Sequence, residues 1–162
     1  MSHLKNILVI GGFLIMSTTF PTTASANETA DKLTIVNPQN LYDPSANGYS
    51  VSVIAPAGTR VAYISGQGGA DEKGTYSPDF SVQVQQAYAN LKTVLDALDA
   101  TPDQVAKLTV FVVDHEPSKL GVLTQNVKKM FGETLPAQTL VPVPKLAIDP
   151  MLFEVEAVVI LP

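Results

Sequence analysis

The sequence has no cysteine, no tryptophan, two histidines and a single arginine, Arg60. Without cysteine there can be no disulfide, no thiolate nucleophile and no cysteine-based metal site, so stability has to come from packing and association. Fifteen carboxylates outnumber ten basic side chains, for a net charge of −5. An acidic chain with one guanidinium argues against nucleic acid as a main partner. There is no internal repeat, no low-complexity block and no sign of a second domain. At 162 residues the length suits one domain with a real core.

The first residues read as a leader. Met1–Asn6 is short and weakly basic through Lys5, Ile7–Met16 is apolar apart from Gly11 and Gly12, and Ser17–Ala26 is small and polar. It ends Ala24-Ser25-Ala26, a small-x-small cleavage pattern, so 1–26 is expected to be a secretory signal peptide. The apolar run is about half of the ~20 residues a spanning helix needs, which favours cleavage over anchoring. The expected mature chain carries nine basic and fifteen acidic side chains, net −6. Its expected location is periplasmic or secreted, with no membrane association after cleavage.

Residues 27–36 form a polar lead-in and a first strand, Leu33–Val36, and a single domain follows over 37–162. Tyr49–Ala55 and Val61–Ser65 read as two strands of a hairpin around Pro56-Ala57-Gly58, a type I turn pattern. Gly66-Gln67-Gly68-Gly69 is expected to break the second strand. Ser77-Pro78 predicts a helix start, with serine as N-cap and proline at the first helical position. Phe80, Val84, Ala87, Leu91, Val94, Leu95 and Leu98 then recur at helical spacing. Ala106–Val113 is an almost continuously apolar strand, expected to be covered on both faces. Pro117-Ser118 opens a second helix bearing Leu120, Leu123, Val127, Met130 and Phe131. Gln138–Val143 and Leu152–Leu161 close the chain as strands. The pattern predicts an α+β sandwich with two helices on one face of a sheet. In the last strand Phe153, Val155, Ala157 and Val159 share one face and Glu154, Glu156 and Val158 the other.

Several motifs that invite a chemical reading are better explained as loops. Asp114-His115-Glu116 are adjacent in a loop and lack the second imidazole of a zinc site. Gly66–Gly69 lacks the lysine and hydroxyl residue of a phosphate loop. No serine pairs with His115 as a triad. No metal and no cofactor is expected.

Seven segments stand in order along the chain: Gly48-Tyr49, Ser65-Gly66-Gln67, Asn90-Leu91-Lys92, Lys107–Asp114, Phe131-Gly132, Leu135-Pro136-Ala137-Gln138-Thr139 and Glu154-Val155-Glu156-Ala157. Together they resemble the RidA (YjgF) family of imine/enamine deaminases, also called the endoribonuclease L-PSP family. Gln83, Gln86 and Asn90 also fall on the family's helix pattern. The resemblance covers about Asn37–Leu161. It implies a chorismate-mutase-like sandwich with a mostly antiparallel or mixed sheet of about six strands. It also implies a homotrimer with small-molecule clefts between subunits. On that frame Glu154, Gln138 and Ser65 occupy catalytic positions, and Tyr49, Gly66, Thr124 and Glu156 line the ligand.

Two departures stand out. Gln138 replaces the arginine that grips the substrate carboxylate, and Thr124 falls where an asparagine is usual. A guanidinium offers a planar, permanently charged fork to a carboxylate, whereas glutamine offers one neutral amide. Its loss forfeits ~1.5–3 kcal/mol, about 10- to 100-fold in affinity. Lys145, in the loop after the Gln138 strand, and Arg60, at the turn, are the other cations considered for the role, and both read first as surface residues. The expectation is an exported trimer that binds a metabolite without standard 2-imino acid deaminase activity. A deaminase acting on a different imine and a chaperone-like or protein-binding trimer are the alternatives.

Overall fold

The structure, a computed structural model, describes residues 32–162. The expected signal peptide and most of the polar lead-in lie outside the described residues. Six strands and two long helices form in the order β1 (Thr34–Val36), β2 (Ser52–Ile54), β3 (Arg60–Gly68), α1 (Phe80–Ala97), β4 (Val105–Val113), α2 (Leu120–Phe131), β5 (Ala137–Val143) and β6 (Phe153–Leu161). The α+β class and the number of strands agree with expectation. The strands divide into a mixed four-stranded sheet, ordered β3-β6-β4-β5, and a separate β1-β2 ribbon.

That division corrects the expected hairpin. The Pro56–Thr59 turn forms, with Gly58 at φ 81°, but β2 pairs with β1 and β3 pairs with β6. Ser50 decides the matter locally. It is buried, its hydroxyl donates to Leu135 O at 2.6 Å, and its amide donates to Pro136 O at 2.9 Å. These bonds tie the start of β2 to the chain entering β5, at the opposite edge of the sheet from β3.

A second correction concerns the glycines after Ser65. The strand runs on through Gly68, with a register shift between Ile64 and Gln67 where it faces β6. A bulge of this kind bends a strand and re-aims its side chains instead of ending it.

Helix α1 starts two residues later than predicted. Asp79, not Ser77, is the N-cap, with its carboxylate accepting from Val82 N at 3.1 Å, while Ser77 Oγ accepts from Asp79 N. A capping carboxylate also faces the positive helix end. Asp79→Ala is expected to lower stability by about 1 kcal/mol, and Ser77→Ala by less, in urea melts.

The core lies between the sheet and the helices. Val84, Ala87, Leu91 and Leu95 of α1 are buried against Leu108, Val110 and Val112 of β4 and Phe153, Val155, Ala157 and Val159 of β6. Tyr88 stacks on Phe153, and Phe80 and Phe131 complete an aromatic group at the helix–sheet boundary. Leu123, Val127 and Phe131 of α2 join this core, but Leu120, counted on the same apolar stripe, is exposed. In the last strand the alternation holds, with Glu154 and Glu156 pointing away from the core.

Candidate functional site

Two separate clusters hold the seven residues singled out from the sequence. The first is built from the loop before β2, helix α2 and the start of β5. Ser45–Asn47 makes one 3-10 turn that ends at Gly48 with φ 85°, a left-handed conformation suited to glycine. A Cβ on Gly48 would contact Val127 and Thr124, so this loop lies directly on α2. Thr124 Oγ1 fastens it by donating to Asn47 O at 3.2 Å. With Ser50 pinned to Leu135, Tyr49 is held beside Gln138.

The result is a cleft of ≈ 470 Å³ lined by Tyr49, Thr124 and Gln138 together with Asn47, Leu120 and Leu140. This volume falls in the range of small-molecule sites. Leu120 thus has a reason to be exposed: it walls the cleft. Gln138 pairs in register with Leu108, whose row continues to Ala157 on the helix-covered face of the sheet. Its side-chain carbonyl oxygen is buried with no hydrogen-bond partner.

The second cluster lies on the other face. The bulge at Gly66 lets the Glu154 side chain lie across the backbone of β3, where a Cβ on Gly66 would come within 1.6 Å of Glu154 Oε1. With Glu154 in this conformation the position has no room for a Cβ. Ser65 sits beside it, exposed, with its carbonyl accepting from Gln67 Nε2 at 2.9 Å. Glu156 is exposed further along the same face, opposite Thr109. A small hollow of ≈ 100 Å³ there is lined by Tyr63, Lys107 and Glu156. Lys107 donates to Thr139 Oγ1, and desolvation lowers its ammonium below the ordinary lysine range.

Within one chain, then, Gln138, Tyr49 and Thr124 come together, and Glu154, Ser65 and Gly66 come together, on opposite faces of one sheet. Within one chain Glu154 and Glu156 are therefore not neighbours of Gln138. Lys145 is exposed at the far end of β5 from Gln138, about 20 Å away along an extended strand. Arg60 Nε donates to Pro162 O at 3.0 Å, at the other edge of the sheet. Neither lines the cleft.

Two bracing residues were recognised in the sequence only as part of a pattern. Gln83 is fully buried; its amide donates to Ser77 O and Pro150 O, each at 2.7 Å, and its oxygen accepts from Leu152 N at 2.8 Å. Asn90 donates to Gly68 O and Ala70 O at 2.9 Å and accepts from Gln86. Together they fasten the outgoing end of β3 and the start of β6 to α1, which sets where Glu154 and Gly66 meet. The available signal was a pair of amides on a helix face otherwise filled with apolar residues.

Comparison with known proteins agrees with this architecture. The family profile described as endoribonuclease L-PSP matches residues 41–161. The chain belongs to the endoribonuclease L-PSP (Rid/YjgF) family. The RutC family protein UK114 of Drosophila melanogaster is 33% identical over 127 residues, which cover 76% of this chain and 86% of that protein. The crystal structure of YyfB, a Rid family protein of unknown function from Yersinia pestis, superposes with a TM-score of 0.77 at 32% identity. It covers 80% of this chain and 99% of its own. RidA from an Antarctic Psychrobacter has a TM-score of 0.57 at 28% identity, with 68% of this chain and 86% of that one covered.

Proposed function

We propose that this Rid family member binds a small neutral or cationic metabolite in a cleft completed by a second copy of the chain, and that it has lost hydrolysis of ordinary 2-imino acids. The observation that carries the reading is a cleft wall at Gln138 that offers a neutral amide and no cation, with the amide's carbonyl oxygen buried and unpartnered. A buried acceptor without a donor costs about 1–3 kcal/mol, so a ligand that supplies an N–H or O–H is favoured there. A carboxylate supplies none and would meet no cation.

The need for a second copy follows from the split of the site. Groups on opposite faces of one sheet cannot touch one ligand, but the open face of one chain can cover the α2–β5 cleft of the next. Closure in threes is what the family resemblance implies. Sedimentation equilibrium is expected to return a trimer; a monomer at micromolar concentration would remove the composite cleft. The reading includes export to the periplasm or medium, which rests on the Met1–Ala26 leader alone.

The Glu154–Gly66 approach favours one further reading of the same cleft. A carboxylate lying over a glycine, on a face open to water, is a suitable holder for an attacking water molecule. The protein would then be a hydrolytic deaminase for an imine or enamine without a carboxylate. Release of ammonia from such an imine, lost in Glu154→Gln, separates this from binding alone.

A further inference from the structure

On the side of the helices away from the sheet, α1 and α2 leave a groove of ≈ 320 Å³ lined by Tyr88, Ala89, Lys92, Pro102, Lys129 and Met130. It shares no residue with the cleft at Gln138 and does not face the open sheet surface. Tyr88 contributes to its floor; the hydroxyl of that side chain is itself buried without a hydrogen-bond partner, and burial pushes the phenol well above the ordinary tyrosine range.

The rim is charged in the sense opposite to the rest of the molecule. Lys92 and Lys129 approach it from the two helices, in a chain whose net charge is −5. Lys129 has no carboxylate partner among the described residues, and Lys92 is held only by an exposed pair with Asp96 one turn away. Such a pair is worth little and gives up its lysine readily. Between floor and rim the walls are the apolar parts of Ala89, Pro102 and Met130, and a methionine thioether adapts to irregular shapes. Asn126, buried at the α2 side, uses its amide on Val122 O at 2.8 Å.

We infer that this α1–α2 groove is a second ligand site, for a small monoanion with an aromatic or short aliphatic body, its anionic head held between Lys92 and Lys129. The apolar walls take the body and the two ammonium groups take the head, above the buried Tyr88 ring. Because the site lies on the outer helix layer, it stays open whether or not chains associate through the sheet.

The test uses phenylacetate as probe and phenylacetamide as its neutral counterpart, followed by calorimetry and by amide chemical shifts of the full chain. Saturable phenylacetate binding in the millimolar range is expected, with shifts centred on Ala89, Lys129 and Met130. Phenylacetamide is expected to bind about 10-fold more weakly, the scale of one charge-assisted contact. The Lys92→Gln/Lys129→Gln double variant is expected to lose about the same factor for phenylacetate and nothing for the amide. Ala89→Trp, at an exposed helix position, is expected to abolish binding by filling the groove. Equal affinity for the anion and the amide would overturn the inference. So would the absence of saturable binding, binding that survives Ala89→Trp, or shifts confined to the Tyr49–Gln138 cleft.

Discussion

Gly69→Ala is expected to lower the stability of this protein by about 3 kcal/mol, at the upper end for overpacking by one methyl group. A Cβ at this position would lie 2.5 Å from Gln83 Cα and 2.6 Å from Gln83 O. These are main-chain atoms in the first turn of α1, so no rotamer change makes room. Relief requires α1 to move off the end of β3, which stretches the bonds that Gln83 makes to Ser77, Pro150 and Leu152. Thermal unfolding is expected to shift down by about 10 °C. Gly121→Ala is the matched control. Nothing lies within 4 Å of its added methyl group, and it sits in the first turn of α2. There alanine's helix propensity is expected to raise stability by about 0.5 kcal/mol. Equal effects at the two glycines would mean that the close packing of β3 on α1 is not as described.

Gln138→Arg is expected to increase hydrolysis of 2-iminopropionate, generated in situ, by about 10- to 100-fold over the parent protein. The cleft has the volume to take a guanidinium, and Tyr49 and Thr124 already flank the position. An arginine there would give the substrate carboxylate a bidentate, charge-assisted partner that the amide of glutamine cannot imitate. Adding Glu154→Gln to this variant is expected to abolish the gain. A parent protein as fast as Gln138→Arg would show that the amide does not disable the reaction. If neither is active, the scaffold has lost more than its clamp, and a protein-binding or chaperone-like role becomes the better account.

Much of the fold was readable along the chain because it depends on local pattern. The apolar spacing in α1 places Val84, Ala87, Leu91 and Leu95 in the core, and alternation in β6 sorts Phe153, Val155, Ala157 and Val159 from Glu154 and Glu156. Period and burial are coupled through neighbouring residues, so a single sequence carries them. The helix start was misread by two residues because Ser77 and Asp79 are both good caps, and only the geometry of the turn chooses between them. The glycine run was misread because glycine both ends strands and permits bulges. Which of these it does at Gly66 depends on Glu154, a residue distant in sequence.

The site divides along the same line. By itself the sequence determined the residue types: an amide where the family resemblance expects a guanidinium, two carboxylates on one face of the last strand, and an acidic chain with no spare arginine. Tertiary structure alone decided that Gln138 and Glu154 belong to opposite faces, that β2 leaves β3 for β1, and that Lys145 is out of reach. Strand pairing and strand order are set by contacts between residues far apart in the chain, through bonds such as Ser50 to Leu135. A one-residue change of register or a change of partner strand moves a side chain to the other side of the sheet without altering any local pattern.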